Sequence, residues 1–447
     1  MTTAVRRAGA FAIVATLAFA VPAATGLRSP ALATVVATGP FVLVAVLSLV
    51  AVDQDSAVFE LFALPGDYQD GKLYGLAAFA LAVAGLALLA VQFGLPVPVF
   101  VATVLIVAYG NLGQRLSYAY GSDGVVATAG FVVFGAAAGT TGFVVAALFQ
   151  VGPARLPQVV FLAVTGALVA ALLRAVLFER DYPLVLLSVG LLSWLFFELD
   201  PTVAPVRITV ALAVTAALGY LSYALDTASL PGMLTGVLLS LLTIVLGGFG
   251  WFAMLIAFFG LGGLSTKYRY DEKQDRGIAE ENEGARGSGN VLANSIVALF
   301  AVLAAAASPS HLAVDPTLFL YAFAGAVSAA MTDTFSSEFG GLYDNPRLIT
   351  TLQPVEPGTD GGVTWQGILA GLAGAAIIAG IGALLLEEMG SLGATVVLTC
   401  GLVGMFVDSI LGATVEGGVV GNQAVNMLAT LVAALTGVGI VVAVGLV

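Results

Sequence analysis

The sequence has little charge, one cysteine and one histidine. Only 9% of its 447 residues are charged, against roughly a quarter in soluble domains, which excludes an ordinary water-facing surface. Cys400 as the sole cysteine excludes a disulfide framework and any multi-cysteine metal site. His311 as the sole histidine excludes a multi-histidine metal centre and argues against a His-based catalytic triad; it falls in a short loop and reads as an ordinary loop residue. Basic residues are also scarce, 15 against 27 acidic for a net charge of −12. That balance argues against a nucleic-acid partner, because phosphate backbones are held by basic patches. It fits the acidic, halophile-like surfaces common in salt-rich cells.

What is abundant is apolar. Hydrophobic residues make up 60% of the chain, in runs of about 20 that can each cross a bilayer core of roughly 30 Å as a helix. Polarity does not alternate within the runs, which excludes barrel strands, and backbone groups in lipid must be satisfied within the segment. The expected fold class is therefore all-α, a polytopic transmembrane helix bundle. Helices are expected near 9–27, 30–52, 73–93, 96–110, 125–149, 157–177, 182–198 and 205–224. The run from Pro231 to Leu264 is too long for one helix and is split in two at Gly247, Gly248 and Gly250. The remainder lie near 290–307, 316–335, 364–386, 391–413 and 421–446, about 15 in all. The first run follows Arg6 and Arg7 and has the look of a signal peptide, but its length and the want of a strong cleavage site favour an anchor helix. The 54 glycines suit close helix packing in lipid.

Alternating these spans from a cytoplasmic N-terminus leaves only Arg28, Arg155 and Arg207 outside, as the positive-inside rule requires. The C-terminus is then expected outside, in a multi-pass protein of the cell membrane whose polar face is cytoplasmic. Polar signals are concentrated in residues 205–447, and 1–204 form a separate N-terminal transmembrane region. Within the latter, Gly66-Asp67-Tyr68-Gln69-Asp70-Gly71-Lys72-Leu73 is a near miss to a P-loop. Leu73 stands where a magnesium-holding hydroxyl is needed, Asp67 and Asp70 would repel phosphate, and no strand precedes it, so a plain loop is expected.

Four segments carry the candidate chemistry. Lys267 lies in the charged stretch Ser265–Lys273, which reads either as a solvated loop or as a phosphate contact. Arg286 precedes Asn290 and Asn294, which share a helix face at i, i+4; they bind a phosphate or nucleotide, or else hydrogen-bond neighbouring helices. Asp333 ends an apolar helix and Glu338 follows; acids at membrane depth cost about 2.5–3.5 kcal/mol on insertion scales. A divalent cation would offset that cost, and oxygen-only ligands suit magnesium. Arg347 and Asp360 sit in a segment of Pro-Gly and Asp-Gly turn signals, where they could grip opposite parts of a metal–phosphate group. Finally Gly401, Gly404, Asp408 and Gly412 form a glycine stripe holding one carboxylate. Glu416 and a second asparagine pair, Asn422 and Asn426, follow it. Carboxylates, cations and amides at one membrane face are the parts that phosphoryl transfer needs.

The strings LSTKYRYDEK, RGIAEENEGARGSGNVLAN, TDTFSSEFG, PRLITTLQPVEPGTDGGV and GMFVDSILGA resemble the integral membrane family that includes phytyl-phosphate kinase, over about residues 210–447. The resemblance implies a nucleotide-dependent kinase that turns a prenyl monophosphate lipid, geranylgeranyl or phytyl phosphate, into the diphosphate. It implies CTP or another nucleoside triphosphate as donor. In that reading Asp333, Glu338, Asp360 and Asp408 act catalytically by holding Mg2+, Lys267, Arg286 and Arg347 bind phosphates, and Asn290, Asn294, Asn422 and Asn426 position substrate. Tyr109–Arg115 and Gly121-Ser122-Asp123-Gly124 have a weaker resemblance to dolichol-kinase-like proteins and lack their motif carboxylate, as a degenerate lipid-kinase half would. A secondary transporter is the competing reading, since broken glycine-rich helices and intramembrane acids occur there too.

Overall fold

A computed structural model describes residues 3–148, 151–177, 181–200, 203–225, 228–279, 288–308, 310–416 and 420–446. Fifteen of its helices are long and apolar enough to cross a membrane, as the spacing of apolar runs predicts. In chain order they are α1 (Thr3–Ala24), α2 (Pro30–Val50), α3 (Tyr74–Gln92), α4 (Val97–Ala119), α5 (Gly124–Ala146), α6 (Leu156–Val176), α7 (Tyr182–Leu199) and α8 (Pro205–Ala224). Then come α9 (Leu230–Gly247), α10 (Phe249–Lys267), α11 (Gly289–Ala307), α12 (Pro316–Gly340), α13 (Trp365–Leu385), α14 (Gly390–Val415) and α15 (Asn422–Ala443). Large aliphatic side chains stand outward along them, with Val50, Ile13 and Leu384 each more than two-thirds exposed. A surface of that kind is stable against lipid, not water.

The chain divides into two compact units, Met1–Thr209 and Val210–Val447. In the first, α4 packs most closely on α5. The near-miss phosphate motif is a single short helical turn, Asp67–Asp70. Its Asp67 carboxylate is buried and accepts from the amides of Leu64 and Gly75, at 2.8 and 3.2 Å. Asp67 therefore caps a loop.

In the second unit the glycine break falls where expected. The last turn of α9, Thr243–Gly247, winds as a π-helix, and Gly248 at φ +98° turns the chain into α10. A side chain at that φ would be strained. Helix α12 is the hub, packing against α10, α11, α13, α14 and α15. Its neighbours come close because they lack Cβ atoms. A Cβ on Gly371 of α13 would lie 2.9 Å from the Thr332 carbonyl, and one on Gly437 of α15 would lie 2.9 Å from the Tyr321 carbonyl. Gly401 and Gly404 of α14 abut Ser328 and Ala329 of α12. The glycine stripe thus faces α12 and sets Asp408 beside Asp333.

Helix α1 begins at Thr3, ahead of the expected 9, and two helices outrun their expected C-terminal ends. Helix α4 continues past 110 to Ala119 and α12 past 335 to Gly340, because their terminal polar residues find partners within the protein. The α12–α13 connection contains a two-stranded antiparallel ribbon, β1 (Arg347–Leu348) and β2 (Gly362–Val363), with Arg347 opposite Val363.

A Cβ on Gly404 would press on Ala329, whose own Cβ cannot rotate away. Gly404→Ala is therefore expected to destabilise by about 1–3 kcal/mol, as overpacking does. Gly439→Ala, which meets nothing within 4 Å, is expected to leave the melting temperature in detergent unchanged or slightly raised. Thermal denaturation of the two purified variants beside wild type checks the contrast.

Candidate functional site

The ends of α12 and α14 and the starts of α11 and α15 meet around a cavity of about 420 Å³, roofed by the α12–α13 connection. That size lies within the roughly 300–1,000 Å³ range of small-ligand pockets. Its wall includes Asp333, Glu338, Asp360 and Asp408, and the two asparagine pairs Asn290/Asn294 and Asn422/Asn426. Eight of the eleven residues singled out in the sequence, from segments far apart in the chain, therefore line one space. Asp333 and Asp408 each lie seven residues from the end of their helix, about 10 Å deep at 1.5 Å per residue.

The cations expected for phosphate fall elsewhere. Lys267 is exposed at the end of α10 and is not part of the wall. Arg347 is exposed too; its Nη1 donates to the Leu352 carbonyl at 2.7 Å, so it braces the ribbon turn. Arg286 lies outside the described residues. Among the described lining residues there is no lysine or arginine.

The lysine that matters in this neighbourhood is Lys273, six residues beyond Lys267. Arg269, in the left-handed region at φ +52°, turns the chain into a short helix, Tyr270–Asp275. That helix carries Lys273 inward until its side chain is 1% exposed. Its ammonium donates to the Ser265 carbonyl at 2.7 Å and to Glu338 Oε2 at 2.5 Å. Glu338, expected as a metal ligand, thus spends one carboxylate oxygen on an internal cation.

The remaining acids face one another. The carboxyl groups of Asp333 and Asp408 lie within hydrogen-bonding reach of each other, and Asp408 Oδ1 is buried with no hydrogen-bond partner. Two ionised carboxylates this close repel unless a proton or cation lies between them. Glu416, missing from the expected set although next to the stripe, completes the wall. It lies just beyond α14, and its pKa is raised from the ordinary glutamate value by burial, then by the charges of Asp360 and Asp408. Gly412 makes room for it, since a Cβ there would lie 3.3 Å from Glu416 Oε2. Gly361, at φ +73°, lies so close to α14 that a Cβ would sit 2.7 Å from the Ala413 nitrogen. This contact seats the backbone next to Asp360, which lines the cavity. Asn294 Nδ2 donates to Asn290 Oδ1 at 2.9 Å, so the i, i+4 pair is bonded to itself and orients Asn290.

Among the described residues no three Asp, Glu, His or Cys side chains form a ready-made metal cage. Magnesium does not need one, because it usually keeps several waters and takes one or two carboxylates plus substrate phosphates. The Asp333–Asp408 pair, with its orphaned oxygen, fits that requirement.

Two consequences follow from the charges. Removing the cation of a buried pair costs about 3–5 kcal/mol, whereas replacing both partners by apolar groups is often neutral. Lys273→Met is therefore expected to destabilise far more than the Lys273→Met/Glu338→Leu double variant, as denaturant titration in detergent would show. For Glu416 the raised folded pKa means that the native state holds its proton more tightly than the unfolded chain. Its contribution is then fully present below the unfolded value and is lost as pH rises from there through the folded pKa. Glu416→Gln is expected to flatten the decline in stability over that window, read from melting temperatures against pH.

A family model for integral membrane protein DUF92 matches residues 213–434, within the second unit. An uncharacterized membrane protein of Methanocaldococcus jannaschii is 34% identical over 46% of this chain and 83% of its own length. Protein PGR of Arabidopsis thaliana is 31% identical over 47% of this chain and 79% of its own. The chloroplastic protein VTE6 of the same plant is 29% identical over 42% and 56%. No solved structure matches the chain.

Proposed function

Because this chain belongs to the integral membrane family DUF92, we propose that its second unit is a phosphotransferase, a kinase converting a prenyl monophosphate to the diphosphate. The likeness of its motifs to the family that includes phytyl-phosphate kinase supports the reading, and so does the similarity to VTE6. The observation that carries it is the cavity wall. Four carboxylates, Asp333, Asp360, Asp408 and Glu416, line a space with no basic residue among its described lining, and a fifth, Glu338, is paired with Lys273, which stands behind the wall. Phosphates enter such a space only in company with cations, which is how a magnesium nucleotide presents itself.

In this reading Asp333 and Asp408 would hold Mg2+, with Asp360 at the mouth as a further oxygen ligand. The ion, when bound, would neutralise phosphate charge and orient the transferring group. The protein's own groups align the two phosphates. Asn290, Asn422 and Asn426 offer amide donors, and Asn294 steadies Asn290. The Lys273–Glu338 pair pins the short helix after α10 against the end of α12. The prenyl chain lies between helices with its phosphate in the cavity. The donor is CTP or a related nucleoside triphosphate. From the distribution of Lys and Arg, this end faces the cytoplasm of a cell-membrane protein.

Secondary transport calls for a polar site near the bilayer midplane between repeats. Here the polar wall is gathered at one end of α11, α12, α14 and α15. The test is phosphoryl transfer by the full-length protein in detergent with high salt and magnesium. Geranylgeranyl and phytyl phosphate are offered with labelled CTP, UTP and ATP. Labelled diphosphate is expected, falling by about 10²-fold or more in Asp333→Asn and Asp408→Asn. No product with any pair, from protein shown to be folded, would overturn the kinase and leave transport, to be measured as flux into liposomes.

A further inference from the structure

The first unit holds a cavity of about 290 Å³, near the lower end of the roughly 300–1,000 Å³ range of small-ligand pockets. It lies where the starts of α4, α6 and α8 meet the ends of α5 and α7. Its wall is largely aromatic. The ring centres of Phe143 and Phe197 are 6.2 Å apart, and those of Phe161 and Phe196 are 6.5 Å apart. Ring pairs of this kind hold one another in place. The polar members of the described lining are Arg155, Gln158 and Asp200. We propose that this cavity seats one tail of a membrane phospholipid with a zwitterionic phosphate–ammonium head, which lies at Arg155 and Asp200. The inference does not rest on the kinase reading, which concerns the second unit.

Shape marks the occupant as a chain. A smaller void of about 10 Å³ shares Phe143, Val159 and Leu162 with the cavity and lies deeper in the bundle. Its lining reaches Ile106 on α4, Gly139 on α5, Ala163 on α6 and Ser193 on α7. Ser193 is seven residues inside Asp200, about 10 Å along the helix at 1.5 Å per residue. The two voids therefore trace a narrow apolar path that runs inward among α4, α5, α6 and α7. Apolar voids stay dry and take hydrocarbon, and an unfilled one forfeits contacts from each side chain that lines it. In a bilayer the hydrocarbon at hand is a lipid tail.

Charge selects the head. Asp200 closes α7, and Arg155 stands immediately before Leu156, the first residue of α6. Both are exposed, and among the described residues they form no ion pair with each other. A guanidinium takes phosphate oxygens through paired N–H donors, and a carboxylate takes an ammonium. A phosphoethanolamine head carries both charges and answers both side chains. A phosphoglycerol head answers Arg155 alone and is opposed by Asp200. Gln158, a turn further along α6 than Arg155, offers an amide to the ester region below the phosphate.

The test uses delipidated full-length protein in a steroid-based detergent, so that the added lipid supplies the flexible chain. Melting temperature is followed against dioctanoyl phosphatidylethanolamine, dioctanoyl phosphatidylglycerol and phosphoethanolamine without a tail. Wild type is expected to show a saturable rise with phosphatidylethanolamine, a weaker apparent affinity for phosphatidylglycerol and no rise with the tail-less head. Ala147→Phe, which adds a ring to the lining, is expected to abolish the rise. Arg155→Gln and Asp200→Asn change exposed residues and are each expected to weaken phosphatidylethanolamine about threefold to fivefold, as loss of an exposed ion pair does. Asp200→Asn is also expected to bring phosphatidylglycerol level with phosphatidylethanolamine, a change of preference that a structural role would not produce. These two variants decide the matter by head preference if Ala147→Phe fails to fold. No rise with either lipid, or a rise that persists in folded Ala147→Phe, overturns the seat. Equal affinity for the two lipids, unchanged in Arg155→Gln and Asp200→Asn, overturns the head, and a rise with phosphoethanolamine alone overturns the tail.

Discussion

The second unit depends on how near its helices come to α12. Lipid supplies no hydrophobic force between helices, so they hold together by contact and by hydrogen bonds. The close faces are made by Gly371, Gly401, Gly404 and Gly437, each against backbone or a short side chain of α12. That proximity sets the Asp408 carboxyl within reach of Asp333. Wider spacing would separate the two acids and open the cavity to lipid. The packing that keeps the bundle together and the geometry that gives the cavity its character are one property of the sequence.

Charge in this unit is arranged in two different ways. Glu338 is answered from within, by a lysine delivered on a short helix and held also by backbone carbonyls. Asp333, Asp408, Asp360 and Glu416 are set against one another around open space. The first arrangement fixes a piece of structure; the second gathers acids around a cavity. Acids within the spans, as Asp333 and Asp408 are, are costly, and the difference between the two solutions separates scaffold from candidate site.

Much of this was legible in the chain, for identifiable reasons. Apolar run length alone located the spans, because helices are the solution lipid allows to a chain of this pattern. The asparagine pairs and the glycine stripe were visible because helical periodicity places them on one face before any packing is known. Periodicity could not say which lysine of Ser265–Lys273 would fold back. That choice turned on the left-handed backbone at Arg269, for which the sequence carries no glycine as a signal. The β-ribbon, two residues in each strand, is too short to write an alternating pattern. Glu416 was passed over because it lies one residue beyond its helix, where the face argument stops applying. The unit boundary lies within α8, a continuous apolar helix with no change of composition to mark it.

The contact between Gly361 and α14 carries one more implication. With no Cβ intervening, the connection that bears Asp360 is seated directly on the turn of helix just beyond Asp408. The backbones that carry the two carboxylates are therefore in direct contact, so their spacing is set by packing of loop on helix. To widen the cavity at this point, the chain would have to part a loop from a helix and not merely turn a side chain.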